Sequence, residues 1–195
     1  MEILVEHKLF LCLEKCKFHQ RQIKYLGLVI SENKIEIDPV KVAEVCKWPT
    51  LENQTDMQAF IGFINFYRRF IWDFSTIARP LFDLTCSNKV WNWDTKKQKA
   101  FECLKMAMTT TLVLVSSQGL EPFCIEANSF DFASGAVLSQ QLPREKKWHP
   151  VVFYSKSLSP VEQNYKIHDK EMLTIICMLE EWRHFLEGAR YLVEI

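Results

Sequence analysis

The sequence predicts an α+β fold, and three observations carry that expectation. Ile23 to Ile30 is a dense apolar run, and Ile35-Glu36-Ile37 alternates beyond a turn at Ser31-Glu32-Asn33-Lys34, which together read as a β-hairpin. Three short helical segments then follow with no strand between them, and they form a small helical subdomain. Residues 122–158 next read as three strands, Pro122 to Ser129, Ala133 to Gln140 and Trp148 to Tyr154, ahead of a long helix and the opening of a fourth strand. The expected order is a hairpin, a helical subdomain and a βββαβ unit.

Each element has its own local reason. A short helix end precedes the hairpin. Asp38-Pro39 starts the first helix of the subdomain, because Asp accepts from free N–H groups at an N-cap and Pro suits the first helical position. That helix carries Val42, Val45 and Cys46 on one side and stops before Trp48-Pro49, since the residue ahead of a proline disfavours the helical conformation. Thr55-Asp56-Met57-Gln58 has the form of a capping box, with Thr55 as cap, and Met57, Phe60, Ile61, Ile64, Tyr67 and Ile71 recur at three- and four-residue steps. The third helix covers about Ser75 to Leu84, and Pro80 should kink or divide it. Trp91-Asn92-Trp93-Asp94 leads into a helix over roughly Thr95 to Met108, Leu112 to Val115 is a short strand, and Ser116-Ser117-Gln118-Gly119 is a linker. After the three strands, with a loop from Leu142 to Lys147, Ser159-Pro160-Val161-Glu162 caps a helix expected to reach about Phe185, and Tyr191 to Ile195 begins the fourth strand.

Composition narrows the function classes. Hydrophobic residues make up 48% of the 195 residues, ample for a core, and 25% are charged, so the chain is not of disordered type. Lys plus Arg and Asp plus Glu are 24 each, so no global positive field attracts polyanions. A nucleic-acid partner would have to be held weakly by local patches. One such patch is Lys15, Lys17, Arg21 and Lys24, which reads equally as a charged hairpin edge that discourages aggregation. Seven scattered cysteines lack disulfide-framework spacing and read as reduced thiols, several of them buried. Cys12, Cys16 and His19 lack the fourth ligand of a structural zinc site. There is no secretory signal and no apolar run of membrane-spanning length, so the expected location is intracellular, cytoplasmic or nuclear.

Several stretches carry a resemblance. They include Lys15-Cys16-Lys17-Phe18, Tyr25-Leu26-Gly27-Leu28-Val29-Ile30-Ser31, Phe60-Ile61-Gly62-Phe63-Ile64-Asn65-Phe66-Tyr67-Arg68-Arg69-Phe70-Ile71 and Ala78-Arg79-Pro80-Leu81. Further on come Trp91-Asn92-Trp93, the segment from Ile125 to Gln140, His168-Asp169-Lys170-Glu171-Met172-Leu173 and Glu180-Glu181-Trp182-Arg183-His184-Phe185-Leu186-Glu187-Gly188. In order and spacing they resemble the gypsy-type LTR-retrotransposon Pol polyprotein over essentially the whole chain. The resemblance implies that residues 1–38 are the end of a reverse-transcriptase palm with a primer-grip-like hairpin. It implies a helical thumb at 39–88, a connection at 89–118 and a C-terminally truncated RNase H-like domain at 119–195. It also implies that the polymerase Tyr-x-Asp-Asp strand lies before Met1 and the later RNase H carboxylates after Ile195. On that reading the chain is a fragment of a polyprotein that copies RNA into DNA and cleaves RNA–DNA hybrids, and it is expected to do neither by itself. The alternative is a non-enzymatic nucleic-acid-binding or interaction remnant of a degenerate or co-opted element.

The candidate residues follow from that resemblance. Asn128 stands where the family has its first metal-binding aspartate, and a neutral amide removes a charge that two-metal chemistry needs. Glu171 matches the family's helix carboxylate. By its spacing it falls in an otherwise apolar row with Ile167, Ile175 and Trp182, and it also reads as a surface glutamate near Lys170 or His168. Mg²⁺ serves the parent family, and no metal or cofactor is expected here, because one carboxylate binds a hard cation poorly. Gln58, Gly62, Asn65 and Arg69 fall at four-, three- and four-residue steps and make one polar stripe. Gln58, Gly62 and Phe66 look like the family's thumb track along the duplex minor groove, although Gly62 also reads as a packing glycine. Tyr25, Leu26 and Gly27 resemble the primer grip, or form simply a core hairpin. Arg68 and Arg69 read as phosphate contacts or as helix C-terminal charges. The implied partner is an RNA–DNA hybrid or primer–template duplex, with no membrane. Self-association through the incomplete RNase H sheet is expected because a βββαβ start leaves apolar faces uncovered.

Overall fold

In the computed structural model the apolar run from Ile23 to Ile30 is two strands rather than one. The structure describes residues 3, 6–10, 12, 14, 16–85, 91–110, 113–117, 121–142, 146–187, 189 and 193–195. Lys15, Cys86, Leu112, the linker residues Gln118 and Gly119, part of the loop at 142–147, Gly188, Tyr191 and Leu192 lie outside the described residues. Strands β1 (Gln22–Tyr25), β2 (Leu28–Ser31) and β3 (Lys34–Ile37) form an antiparallel meander. The run is broken at Leu26 and Gly27, whose φ angles of 48° and 78° turn the chain back on itself. Only glycine holds a positive φ without strain, and Gly27 is needed twice, because a Cβ there would collide with the Tyr67 hydroxyl. The two-residue strand β4 (Leu114–Val115) pairs with β3 and closes this sheet in the order β1-β2-β3-β4.

Helix α1 (Pro39–Cys46) starts as expected, with the Asp38 carboxylate accepting from the Val40 N–H. Helix α2 (Gln54–Phe66) starts earlier than its sequence suggests. Its cap is Asn53, whose side chain accepts from the Asp56 N–H at 2.9 Å, and the Asp56 carboxylate in turn accepts from the Asn53 side chain and the Glu52 N–H. Asn caps at least as well as Thr, so the box closes two residues ahead of Thr55. A 3-10 turn, Arg68–Phe70, leads to α3 (Phe74–Phe82), which runs through Pro80 undivided. Helix α4 (Thr95–Thr109) is capped by Asp94, which accepts from the Lys97 N–H.

Strands β5 (Phe123–Ser129), β6 (Ala133–Gln141) and β7 (Trp148–Ser157) form a second antiparallel sheet in that order. A parallel bridge at Glu194 flanks β5, where the fourth strand was expected. The Ser159–Glu162 box forms, with the Glu162 carboxylate accepting from the Ser159 N–H at 2.6 Å, yet it caps only a 3-10 turn, Glu162–Asn164. Tyr165 and Lys166 adopt extended backbone, so the long helix begins afresh as α5 (Ile167–Glu181), and Trp182 separates it from α6 (Arg183–Leu186).

Two packing clusters hold these elements. The larger joins the hairpin and α1 to α4 around residues such as Phe60, Ile64, Leu81 and Phe101, and it also takes in Val137 and Phe153 from the second sheet. The smaller holds α5 to the sheet through Phe123, Ile125, Leu138, Met178 and Trp182. Central strand β6 is therefore buried on both faces. Its polar residues are satisfied: Thr174 on α5 donates to the Ser134 hydroxyl at 2.7 Å, and the Gln140 amide donates to the Glu121 carbonyl. At the junction, the Ser75 N–H at the start of α3 donates to the buried Ser155 hydroxyl at 2.8 Å. The expected bare face of the second sheet is thus covered where α3 and the 3-10 turn pack on β7. The cysteines depart from expectation in burial alone: among the described residues all are free thiols, but none is fully buried. Polar neighbours and helix-surface positions hold them instead, as Cys46 and Cys103 sit on the outer faces of α1 and α4.

Candidate functional site

The amphipathic pattern of α2 dictates what it shows to solvent. Met57, Phe60, Ile61 and Ile64 are buried in the core. Gln58, Gly62, Asn65 and Phe66 are left on the opposite, exposed side, and Arg69 extends the row just beyond the helix. A Cβ built on Gly62 meets nothing within 4 Å. Among the described residues Gly62 therefore serves no packing, and it leaves a groove open to anything laid along the helix. Phe66 is 51% exposed, an uncompensated apolar surface beside that groove.

The hairpin tip belongs to the same surface. Tyr25 and Leu26 are exposed, while Gly27 rests on the Tyr67 hydroxyl. Tyr67 is 3% exposed and sits edge-on to the Phe66 ring at 4.9 Å. The Gly27 carbonyl also accepts from the Asp38 N–H at the start of α1. The tip and the stripe are thus joined through Tyr67, a link that sequence reasoning missed. The signal was present, because Tyr67 ends the apolar row of α2 next to an exposed aromatic. Charge near the tip is balanced locally. Lys24 pairs with Asp38 at 3.2 Å, and Asp38 sits below the usual carboxylate range, chiefly through its bond from the Val40 N–H and then through Lys24. Lys41 pairs with Glu44. Lys17, Arg21 and Lys24 of the basic patch are exposed or partly so, as expected of either reading.

The second group of candidates is arranged differently. Ser129 faces Ser134 across the strands, and Ser134 is bonded to Thr174, so position 129 looks toward α5. Side chains alternate along a strand, so Asn128 and Glu126 look to the other face, and both are exposed. On α5 the buried row is Lys170, Thr174 and Met178 rather than the row through Glu171. Glu171 lies on the exposed flank, with its side chain 50% accessible and 3.9 Å from the His168 ring. Sequence spacing placed Glu171 in an apolar row; the helix is rotated so that Ile167 is exposed and Ile175 only half-buried. No hydrogen bond or ion pair joins Asn128 to Glu171 among the described residues, and no three acidic, histidine or cysteine side chains there are grouped to hold a metal, Cys12, Cys16 and His19 included. The turn after Asn128 instead meets the helical half, where the Arg79 guanidinium stacks 3.7 Å from the Phe132 ring.

Known proteins resemble this chain in sequence and in fold. Residues 93–193 match the family described as the RNase H-like domain found in reverse transcriptase. The Transposon Tf2-3 polyprotein of Schizosaccharomyces pombe (strain 972 / ATCC 24843) is 35% identical over 175 residues, which is 90% of this chain and 13% of that protein. The Tf2-4 polyprotein of the same organism matches to the same extent. The chain thus spans about an eighth of the length of the curated relatives it matches. Among solved structures, the foamy viral protease-reverse transcriptase dRH in complex with ds DNA superposes with a TM-score of 0.76 at 17% identity, over 98% of this chain and 33% of that one. The same enzyme in complex with RNA/DNA hybrid gives 0.75 at 16% identity, over 93% and 24%. At such identities the structural likeness speaks for the fold alone.

Proposed function

This chain belongs to the RNase H-like domain family found in reverse transcriptase, within the LTR-retrotransposon Pol polyproteins, and from that premise we propose that it grips a nucleic-acid duplex without cleaving it. The gripping surface is the exposed α2 stripe, Gln58, Gly62, Asn65, Phe66 and Arg69, together with the hairpin tip Tyr25, Leu26 and Gly27. The observation that carries the reading is the empty space over Gly62. A glycine inside a helix costs about 1 kcal/mol against alanine, and no contact with the described residues compensates for it. Close approach of an external backbone or sugar edge does. The foamy viral neighbours, whose complexes contain ds DNA and RNA/DNA hybrid, support a nucleic-acid occupant. The gypsy-type assignment and the thumb and primer-grip roles belong to the same proposal.

The family's metal chemistry does not fit the residues present. Asn128 is uncharged, Glu171 has a histidine beside it, and Asn128 and Glu171 are not grouped with other acids. A pair of divalent ions needs a cluster of carboxylates to hold it. Direct binding of an RNA–DNA hybrid, followed by titration with salt, tests the grip: saturable binding by the unmodified chain and its weakening in Gly62→Leu are expected. A Mg²⁺-dependent hybrid cleavage assay tests the rest. No cutting above background is expected from the unmodified chain or from Asn128→Asp, and clear cutting by the unmodified chain refutes the second half of the proposal.

A further inference from the structure

The helical half and the second sheet leave a cleft of about 220 Å³ where they meet. Its floor is apolar and includes Leu114, Val151, Phe153 and Trp182. Its rim carries Arg68, Arg69, Ser116, Ser117, Glu181 and His184, brought together from the 3-10 turn, the end of β4 and the break between α5 and α6. None of these segments adjoins another in sequence, so the cluster is a product of folding alone.

The two arginines stand out by their lack of partners. Neither guanidinium has a hydrogen bond or ion pair among the described residues; that of Arg69 lies near the Phe70 ring, 5.5 Å from its centre. Burial pushes the Arg69 guanidinium down from its ordinary value, although it remains a cation. Both arginine residues remain open to solvent, so an incoming anion can reach them. Glu181 is the carboxylate in the rim and does not reach either guanidinium within ion-pair distance. Two fixed positive charges thus face one negative charge, with His184 adding a third positive charge when protonated. An apolar floor beneath them lowers the local dielectric and strengthens any ion pair made there.

We propose that this cleft is a phosphate site, in which Arg68 and Arg69 receive one phosphate group, Ser116 and Ser117 supply further donors, and the apolar floor takes the sugar or base attached to it. Planar guanidinium forks match phosphate oxygens two at a time. An apolar pocket with a few convergent polar groups is the usual form of a small-ligand site. Arg69 follows Asn65 by four residues, so the cleft stands at the end of the α2 stripe. The phosphate is then supplied either by the backbone of a duplex lying on that stripe, which rests on the function proposed above, or by a free nucleotide, which does not.

The test uses the whole chain, its Arg68→Gln/Arg69→Gln variant and its Arg68→Lys/Arg69→Lys variant. Inorganic phosphate and adenosine monophosphate are each expected to raise the unfolding temperature of the unmodified chain in a concentration-dependent way. The glutamine pair should abolish that rise and the lysine pair should keep part of it. Phosphate should also protect Arg68 and Arg69 from phenylglyoxal, read by mass spectrometry on the unmodified chain, which needs no variant to fold. If a duplex backbone supplies the phosphate, the slope of log K against log salt for duplex binding becomes shallower by about 0.9 in the glutamine pair and is unchanged in Gly62→Leu. If a free nucleotide supplies it, adenosine monophosphate stabilises and the slope stays the same in Arg68→Gln, which changes a residue of the cleft outside the α2 stripe. Failure of the unmodified chain to bind duplex removes the function proposed above while the phosphate and nucleotide arms still read the cleft. Absence of any thermal shift and of protection, or equal responses from the unmodified chain and the glutamine pair, overturns the phosphate site.

Discussion

The α2 stripe and the β5–α5 pair differ in how their candidate residues stand to one another. On α2, one helical face carries Gln58, Gly62, Asn65 and Phe66 in register, and Tyr67 ties the hairpin tip onto the same surface. On β5 and α5, Asn128 and the α5-facing serine beside it look to opposite sides of a sheet, and Glu171 sits on a helix flank by His168. A gripping surface needs only steric openness and continuity, and it survives as long as the helix does. A metal site needs several charges converging within a few ångströms, and one neutral side chain is enough to dissolve it. The two halves of the molecule thus make different demands on their sequences, although they share one core.

Four measurements break or sharpen that contrast. The largest effect is expected from Phe153→Ala, because Phe153 belongs to the second sheet yet packs in the core of the helical half, 5.8 Å from the Trp72 ring. Roughly 3–5 kcal/mol should be lost, and urea unfolding should remain a single transition by two optical probes. Separate transitions would show that the halves fold independently. Next comes Gly62→Leu, expected to weaken duplex binding by at least about tenfold, or about 1.4 kcal/mol, while Gly62→Ala raises helix stability by about 1 kcal/mol. Unchanged affinity in the leucine variant would deprive the stripe of its role. Asn53→Ala should cost about 1 kcal/mol by removing the α2 cap, visible as a lower unfolding midpoint. The smallest effect concerns Glu162, whose carboxyl is held below its ordinary range by the Ser159 N–H, then the Ser159 hydroxyl and Lys156. A depressed folded value means that its contribution is present above the ordinary glutamate range and lost as pH falls through the depressed value. Glu162→Gln should therefore lower stability slightly at neutral pH, leave it unchanged below the depressed value, and so flatten the acid limb; an identical acid limb in both proteins would contradict this.

Local rules were legible in the chain wherever one turn or one strand decides the outcome. Asp38-Pro39 and Asp94 announced their helices, and the three strands of the second sheet fell within a few residues of their expected bounds. Thr55 was misread as a cap because Asn53 and Asp56 form an equally good box two residues earlier. Ser159 and Glu162 formed their box as expected, but the extended backbone at Tyr165 and Lys166 ended the turn it started. The run from Ile23 to Ile30 hid a turn because apolar residues flank Gly27 on both sides, and only the positive φ reveals it. The candidate stripe was readable from four-residue spacing. That Gly62 faces open space was not, because spacing cannot say what lies opposite.

By itself the sequence determined the class of fold, the capped helices, the alternating strands and the neutral amide at position 128, since each rests on local residue chemistry. Tertiary structure alone decided which face of α5 is buried, that Val137 and Phe153 join the core of the helical half, that Tyr67 holds the hairpin tip against α2, and that Arg68 and Arg69 meet Ser116 and His184 across one cleft. The reason is range: caps and periodicities act within a turn or a strand, whereas burial and charge compensation depend on segments that only the folded chain brings together.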